Sequence, residues 1–232
     1  MKKVLYGFGD SLVDGHCVHV GMLDALAEKY GLEYHKYAVN GAAIIPVNEK
    51  TKDLPEVAFQ VKFHVPDVAK QVEDAPDHIP DYVVFDGLTN DDARSDIQEH
   101  IGAITQSFDG TYDCETFYGA FERVCYLLKK KYRGSQIFYV AVHRMPTRDM
   151  EVEDMLQSAA REVCGKWSIP VVDVYRTGKI NTCKEEMRER YSYDTEESLT
   201  GGNGTHLNPD GYETFYLPML EEALGLDSGA KS

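Results

Sequence analysis

Hydrophobic and polar positions follow two rhythms along this chain. Five short, nearly unbroken apolar runs occur at 3–8 (KVLYGF), 34–39 (YHKYAV), 81–87 (DYVVFDG), 136–142 (QIFYVAV) and 169–175 (IPVVDVY). Runs of that length and texture predict strands covered on both faces. Between them, apolar residues recur at helical spacing. Val18, Met22, Leu23, Leu26, Ala27 and Tyr30 predict a helix over about 15–30, stopped by Gly31. A helix is expected over 61–73, its start blurred by Pro66, and a long one over 114–132 with Phe117, Phe121, Val124, Leu127 and Leu128 on one face. The segment 151–167 is amphipathic, and 209–224 opens on Pro209 and ends before Gly225. Residues 225–232 are expected to fray.

Strands that alternate with helices imply an α/β fold with a parallel sheet and helices on both faces. Neither a repeat nor a linker divides the chain, so a single domain over 1–232 is expected. The polar, glycine- and charge-rich stretch 176–205 lacks a core pattern beyond one short helix and is expected to be a mobile cover over a site.

Composition narrows the function classes. The chain has 232 residues, 43% hydrophobic and 27% charged, enough for one full core. Its net charge is −15 and its pI about 4.9, which disfavours nucleic acid and anionic membranes as partners. No apolar run approaches the roughly 20 residues of a membrane span. The opening MKKVLYGFGDS has no hydrophobic signal core, because Asp10 interrupts it. Five scattered cysteines without a CxxC pair argue against a disulfide framework or a zinc knuckle. A cytoplasmic protein with reduced thiols is expected.

In open α/β sheets, ligands bind outside the carboxyl ends of the strands. The residues there are Gly9-Asp10-Ser11, Asn40-Gly41, Gly87 to Asp91, His143-Arg144 and the loop leading to His206. Ser11 sits where a strand becomes a helix, with free N–H groups beside it. Taken alone it reads as a helix cap. His206, in GGNGTHLNPDGY, is a base candidate facing the strand ends, and His143 competes with it. The Asn90 side chain and the Gly41 N–H have the chemistry to hold an oxyanion.

Taken together, these residues resemble the SGNH hydrolases, or GDSL esterases and lipases. Gly9-Asp10-Ser11-Leu12 matches the first block of that family, Gly41 the second, Thr89-Asn90-Asp91 the third, and His206 with Asn208-Pro209 and Gly211-Tyr212 the last. The resemblance implies a three-layer α/β/α, flavodoxin-like fold with about five strands. It also implies a nucleophilic Ser11, a general base His206, and an oxyanion hole made by the Ser11 N–H, the Gly41 N–H and Asn90. No metal or organic cofactor is implied. Two departures stand out. The family places an aspartate three residues before its histidine, where this chain has Asn203, leaving Asn203, Asp194, Asp210, a backbone carbonyl or no group at all to orient His206. The third block usually reads GxND, but here Leu88 precedes Thr89-Asn90-Asp91 and Gly87 stands one position early.

The expected function is hydrolysis of short-chain acyl esters of a polar or carbohydrate-like alcohol, a small-molecule substrate, through an acyl-enzyme. Asp10, His143 and Arg144 are candidate substrate-binding residues, and Arg148 is a further basic group in the same region. Two alternatives are a catalytically impaired ligand-binding or interaction domain, and a flavodoxin-like module for a nucleotide or flavin. Against the last, no GxGxxG or GxxxxGK[ST] follows any strand.

Overall fold

The computed structural model describes residues 2–226. Its centre is a parallel sheet in the order β2-β1-β3-β4-β5. The strands are β1 (Val4–Phe8), β2 (Glu33–Lys36), β3 (Tyr82–Phe85), β4 (Gln136–Ala141) and β5 (Val171–Asp173). Each lies inside one of the five apolar runs. Side chains alternate across the sheet as the pleat requires. Tyr6, Phe8, Val83, Phe85, Ile137 and Tyr139 enter one core, and Leu5, Tyr82, Val84, Phe138 and Val140 enter the other. Helices α4 (Val68–Asp74), α5 (Phe117–Lys131) and α6 (Met150–Lys166) supply the first core. Helices α2 (Asp24–Tyr30) and α10 (Leu217–Leu224) supply the second. The result is the expected three-layer α/β/α sandwich with flavodoxin-like strand order.

Several helices differ from their expected extents. The helix expected over 15–30 is two pieces. A single turn, α1 (Ser11–Asp14), precedes α2, and the chain between folds back so that the Met22 N–H donates to the Leu12 carbonyl at 2.8 Å. The 61–73 helix divides around Pro66 into α3 (Ala58–Phe63) and α4. His64 ends α3 at φ 52°, and Asp67 caps α4 by accepting from the Lys70 N–H at 3.0 Å. The last helix starts as α9 (Pro209–Gly211), capped by the Asn208 side chain. It widens into a π turn over Tyr212–Tyr216 before α10, whose Pro218 has no N–H to give to the ladder.

The stretch 176–205 is anchored rather than detached. It begins in the last two residues of α7 (Val174–Thr177), contains α8 (Glu185–Tyr191), and buries Tyr193 to 1% exposure. Met187 and Tyr191 pack on the second core. Of the expected frayed tail, Gly225 caps α10 and the Leu226 N–H donates to the Glu221 carbonyl at 2.9 Å; residues 227–232 lie outside the described residues.

Candidate active site

β1 delivers Ser11 through a turn that only glycine can make. Gly9 has φ +133°, and a Cβ there would lie 1.7 Å from Asp86 Oδ1. That oxygen accepts the Asp10 N–H at 3.0 Å. Gln71 of α4 brackets the same turn. Its Oε1 accepts the Gly9 N–H and its Nε2 donates to the Gly9 carbonyl, both at 2.9 Å. Asp10 is fully buried, and its Oδ1 accepts the Leu12 N–H, so it caps α1. It therefore holds the turn from below and is removed from the substrate contacts. Burial raises the pKa of both Asp10 and Asp86. The Ser11 N–H is left without an acceptor among the described residues.

Asn90 and Asp91 build the neighbouring loop. Asn90 Nδ2 donates to the Ala42 carbonyl at 2.8 Å, and the Asp91 carboxylate accepts the N–H groups of Ile44 and Ile45, each at 2.8 Å. Burial, partly offset by those two donors, lifts the Asp91 pKa to about 6. The clamp fixes residues 41–45. Gly41 within it has φ +85°, and a Cβ would meet the Phe59 ring at 2.6 Å. The Gly41 N–H also lacks an acceptor among the described residues. An Asn amide has two hydrogens, and the bond to Ala42 uses one. At the position of the family's glycine, Leu88 takes φ 113°, a conformation that costs a bulky residue about 1–3 kcal/mol. Its side chain is 1% exposed in the core, which offsets that strain.

His206 meets Ser11 across the whole chain: Ser11 Oγ lies 2.9 Å from His206 Nε2. The loop is held from both sides, by the Tyr193 N–H on the His206 carbonyl and by the Asn208 N–H on the Tyr191 carbonyl. His206 Nδ1 is buried and has no hydrogen-bond partner among the described residues. Asn203 does not fill the role of the family's aspartate. Its Oδ1 accepts the Thr205 N–H at 2.8 Å, two residues along its own loop. Asp194 is occupied too, since its carboxylate accepts the Asn203 N–H at 3.1 Å, and Asp210 is exposed.

What lies against His206 is another imidazole. The His16 ring is parallel to it, with centroids 3.9 Å apart and 2° between planes. His16 Nε2 is 3.2 Å from the Asp194 carbonyl oxygen, which only accepts, so neutral His16 carries its proton there. Burial above all, with the neighbouring His16, His143 and Arg148 acting in the same direction, lowers the His206 pKa to about 3. His206 is thus neutral at pH 7, as a base must be, but among the described residues no carboxylate meets its Nδ1.

His143 and Arg144, expected to meet substrate, both engage other groups of the protein. His143 is fully buried, with Nε2 3.1 Å from the Gly204 carbonyl and Nδ1 2.7 Å from the Tyr216 hydroxyl. The carbonyl fixes the proton on Nε2, so Nδ1 accepts from Tyr216. The Tyr216 oxygen in turn accepts the His143 N–H at 3.1 Å. Burial drives its pKa to about 4 and keeps it neutral. Its role is to hold Gly204, two residues before His206. Arg144 donates to Asp154 at 2.7 Å and stacks on Tyr175, while Arg148 donates to the Thr89 carbonyl at 3.0 Å and fixes the Asn90 loop.

Gln71, Asp86, His16 and Tyr216 do not stand out in the sequence. Asp86, directly after β3 in the run DYVVFDG, has a positional signal. The others are ordinary helix or loop residues until the fold assembles them.

Comparison with known proteins agrees with this fold. A protein from Lactobacillus plantarum shares the fold with TM-score 0.73 at 16% identity over 97% of each chain. The lipase/acylhydrolase from Enterococcus faecalis does so with TM-score 0.54 at 17% identity, over 97% of this chain and 96% of that one. An α/β hydrolase enzyme from a Lake Arreo metagenome gives 0.53 at 13% identity, over 96% and 95%. No curated protein matches the chain in sequence. The model of the GDSL-like lipase/acylhydrolase family matches residues 8–214. That span runs from the end of β1 through Ser11 and His206, and the chain belongs to this family of hydrolases.

Proposed function

We propose that the protein is a serine esterase that removes short acyl groups from a polar, carbohydrate-like alcohol. The 2.9 Å approach of Ser11 Oγ to His206 Nε2 carries this reading. In the reaction, Ser11 Oγ attacks the ester carbonyl while Nε2 takes its proton. The tetrahedral oxyanion is met by the N–H groups of Ser11 and Gly41 and by the free hydrogen of Asn90 Nδ2. The intermediate collapses, His206 returns the proton to the leaving alcohol, and the acyl group stays on Ser11. Water, deprotonated by His206, then releases the acid. The Phe59 ring packs on Gly41 and is 46% exposed. It offers an acyl group of a few carbons an apolar shelf beside the oxyanion donors.

A second reading draws on the unpartnered His206 Nδ1: an SGNH fold retained for ligand binding, with impaired catalysis. One experiment separates the two. Purified wild type, Ser11→Ala and His206→Ala are assayed on p-nitrophenyl acetate, butyrate, octanoate and palmitate. Turnover of the short esters that both substitutions abolish supports the esterase. Equal rates in all three proteins remove Ser11 and His206 from the mechanism, and no turnover leaves the binding reading.

A further inference from the structure

The chain is strongly acidic, yet one cavity at the carboxyl ends of β4 and β5 is lined by four cations. Arg144, Arg176, Lys179 and Lys184 surround a volume of about 280 Å³, floored by Tyr175 and bordered by Asn181. The lining includes no acidic side chain and none of Ser11, Gly41, Asn90 or His206. We propose that this cavity binds a small phosphate-bearing polyanion, with a group of about pyrophosphate size among the four cations.

Part of the chain's cations are paired elsewhere. Lys29, Lys36, Lys50, Lys52, Lys70 and Arg123 each reach a carboxylate. Around the cavity, the side chains of Arg176, Lys179 and Lys184 have no acid, carbonyl or ring partner among the described residues. Of the nearby acids, one pairs with Arg144 and the other is engaged outside the cavity. Asp173 accepts from Arg161 at 3.4 Å and from the Arg176 backbone N–H at 3.0 Å. Asp154 takes the Nη2 of Arg144 and the Tyr175 hydroxyl, both at 2.7 Å. Arg144 Nη1 remains buried with no acceptor. A buried, unpaired guanidinium N–H is costly, and an anionic oxygen is the acceptor that satisfies it best. Three free cations around the same space would repel one another less once an anion is bound. Pockets for whole drug-sized ligands run from about 300 Å³ upward, so this one suits a phosphorylated head group or a small sugar phosphate.

The site adjoins the histidine loop without belonging to it. Thr182 Oγ1 lies 2.8 Å from the Arg144 carbonyl and 2.8 Å from the Gly204 carbonyl, so one hydroxyl ties the cavity wall to the segment before His206.

The test is calorimetric titration of the full-length protein with pyrophosphate at about physiological salt, with a Lys179→Gln/Lys184→Gln variant alongside. Both lysines are exposed, so the variant should fold. A dissociation constant below about 1 mM in the wild type, weakened at least about tenfold in the variant, supports the site. Ser11→Ala should bind as the wild type does. Absence of binding to the wild type, undiminished binding in the variant, or loss of binding in Ser11→Ala each overturns the proposal. Because the readout is binding, the result stands apart from whether the protein is an esterase.

Discussion

His16 and His206 lie face to face, 3.9 Å between ring centroids and 2° between planes, while His206 Nδ1, where the family places a carboxylate, has no partner among the described residues. A carboxylate would fix the tautomer and the ring angle and would stabilise an imidazolium. A stacked ring supplies part of this, because it blocks ring rotation. His16 is therefore expected to act as a positioning residue. His16→Ala should lower kcat about threefold to tenfold with little change in KM, matching the roughly 0.5–1.5 kcal/mol of an aromatic pair. His16→Phe keeps the flat face and should recover most of the loss. Equal losses in both variants would show that the hydrogen bond to Asp194, not the stack, matters.

The low pKa of His206 predicts an unusual pH profile. The free enzyme needs His206 neutral, and burial has moved its pKa down from 6.5 to about 3. The value of kcat/KM should then stay nearly flat from pH 8 down to about pH 5, where a histidine near 6.5 would already have cut it more than tenfold. An acid limb centred near pH 6.5 would show that an anion reaches Nδ1 in the working enzyme.

Restoring the family's residue should not restore its function. Asn203 Oδ1 is turned to the Thr205 N–H, and its own N–H is held by Asp194. In Asn203→Asp the new carboxylate keeps that turn and gains a like-charged neighbour in Asp194. The expected kcat lies within about threefold of wild type, as for a surface substitution of roughly 0.5 kcal/mol. A rise of a hundredfold or more would mean that the loop rearranges to present the carboxylate to His206.

Much of this was readable before the fold. The five strands were legible because parallel strands are buried on both faces and leave solid apolar runs. The ends of those strands brought Ser11, Gly41, Asn90 and His206 to one edge. Harder to read was whatever depends on partners distant in sequence. His16 is a loop residue until Ser11 and His206 meet 195 positions apart. Spacing made Asn203 look like the aspartate's replacement, but a short polar side chain bonds its own backbone when it can, and Thr205 is within reach. His143 and Arg144 do follow a strand, as substrate-binding residues often do. Tyr216 of the π turn and Asp154 of α6 take up their polar groups, and no local pattern announces that.

Asn90 should separate catalysis from architecture. Removing its amide in Asn90→Ala deletes one oxyanion donor and frees the Ala42 carbonyl. Loss of a single donor lowers kcat by about 10²–10³ while leaving KM within a few-fold. The Asp91 clamp on Ile44 and Ile45 remains, so the 41–45 loop should keep its place. If kcat is unchanged, Asn90 serves only to tie the loop, and Ser11 and Gly41 alone hold the oxyanion.

Asp92, next along, sets how stability varies with pH. It is 8% exposed, and neither carboxylate oxygen has a hydrogen-bond partner among the described residues. Burial moves its pKa up to about 7, against the pull of Arg148 and with the push of Asp149 and Asp91. Below the unfolded pKa of about 3.8, the group is protonated in both states and makes no difference. Between there and pH 7 the folded state binds the extra proton, so native stability declines as pH rises. Above pH 7 the whole penalty of a buried, unpaired carboxylate is present. Asp92→Asn removes it and should stabilise the protein by about 1–3 kcal/mol at pH 8. That corresponds to roughly 2–4 °C in Tm per kcal/mol for a chain of this size. The gain should shrink steadily toward pH 4. Thermal unfolding of both proteins at pH 4, 6 and 8 measures it. The same Tm difference at all three values would show that Asp92 finds a partner when it ionises.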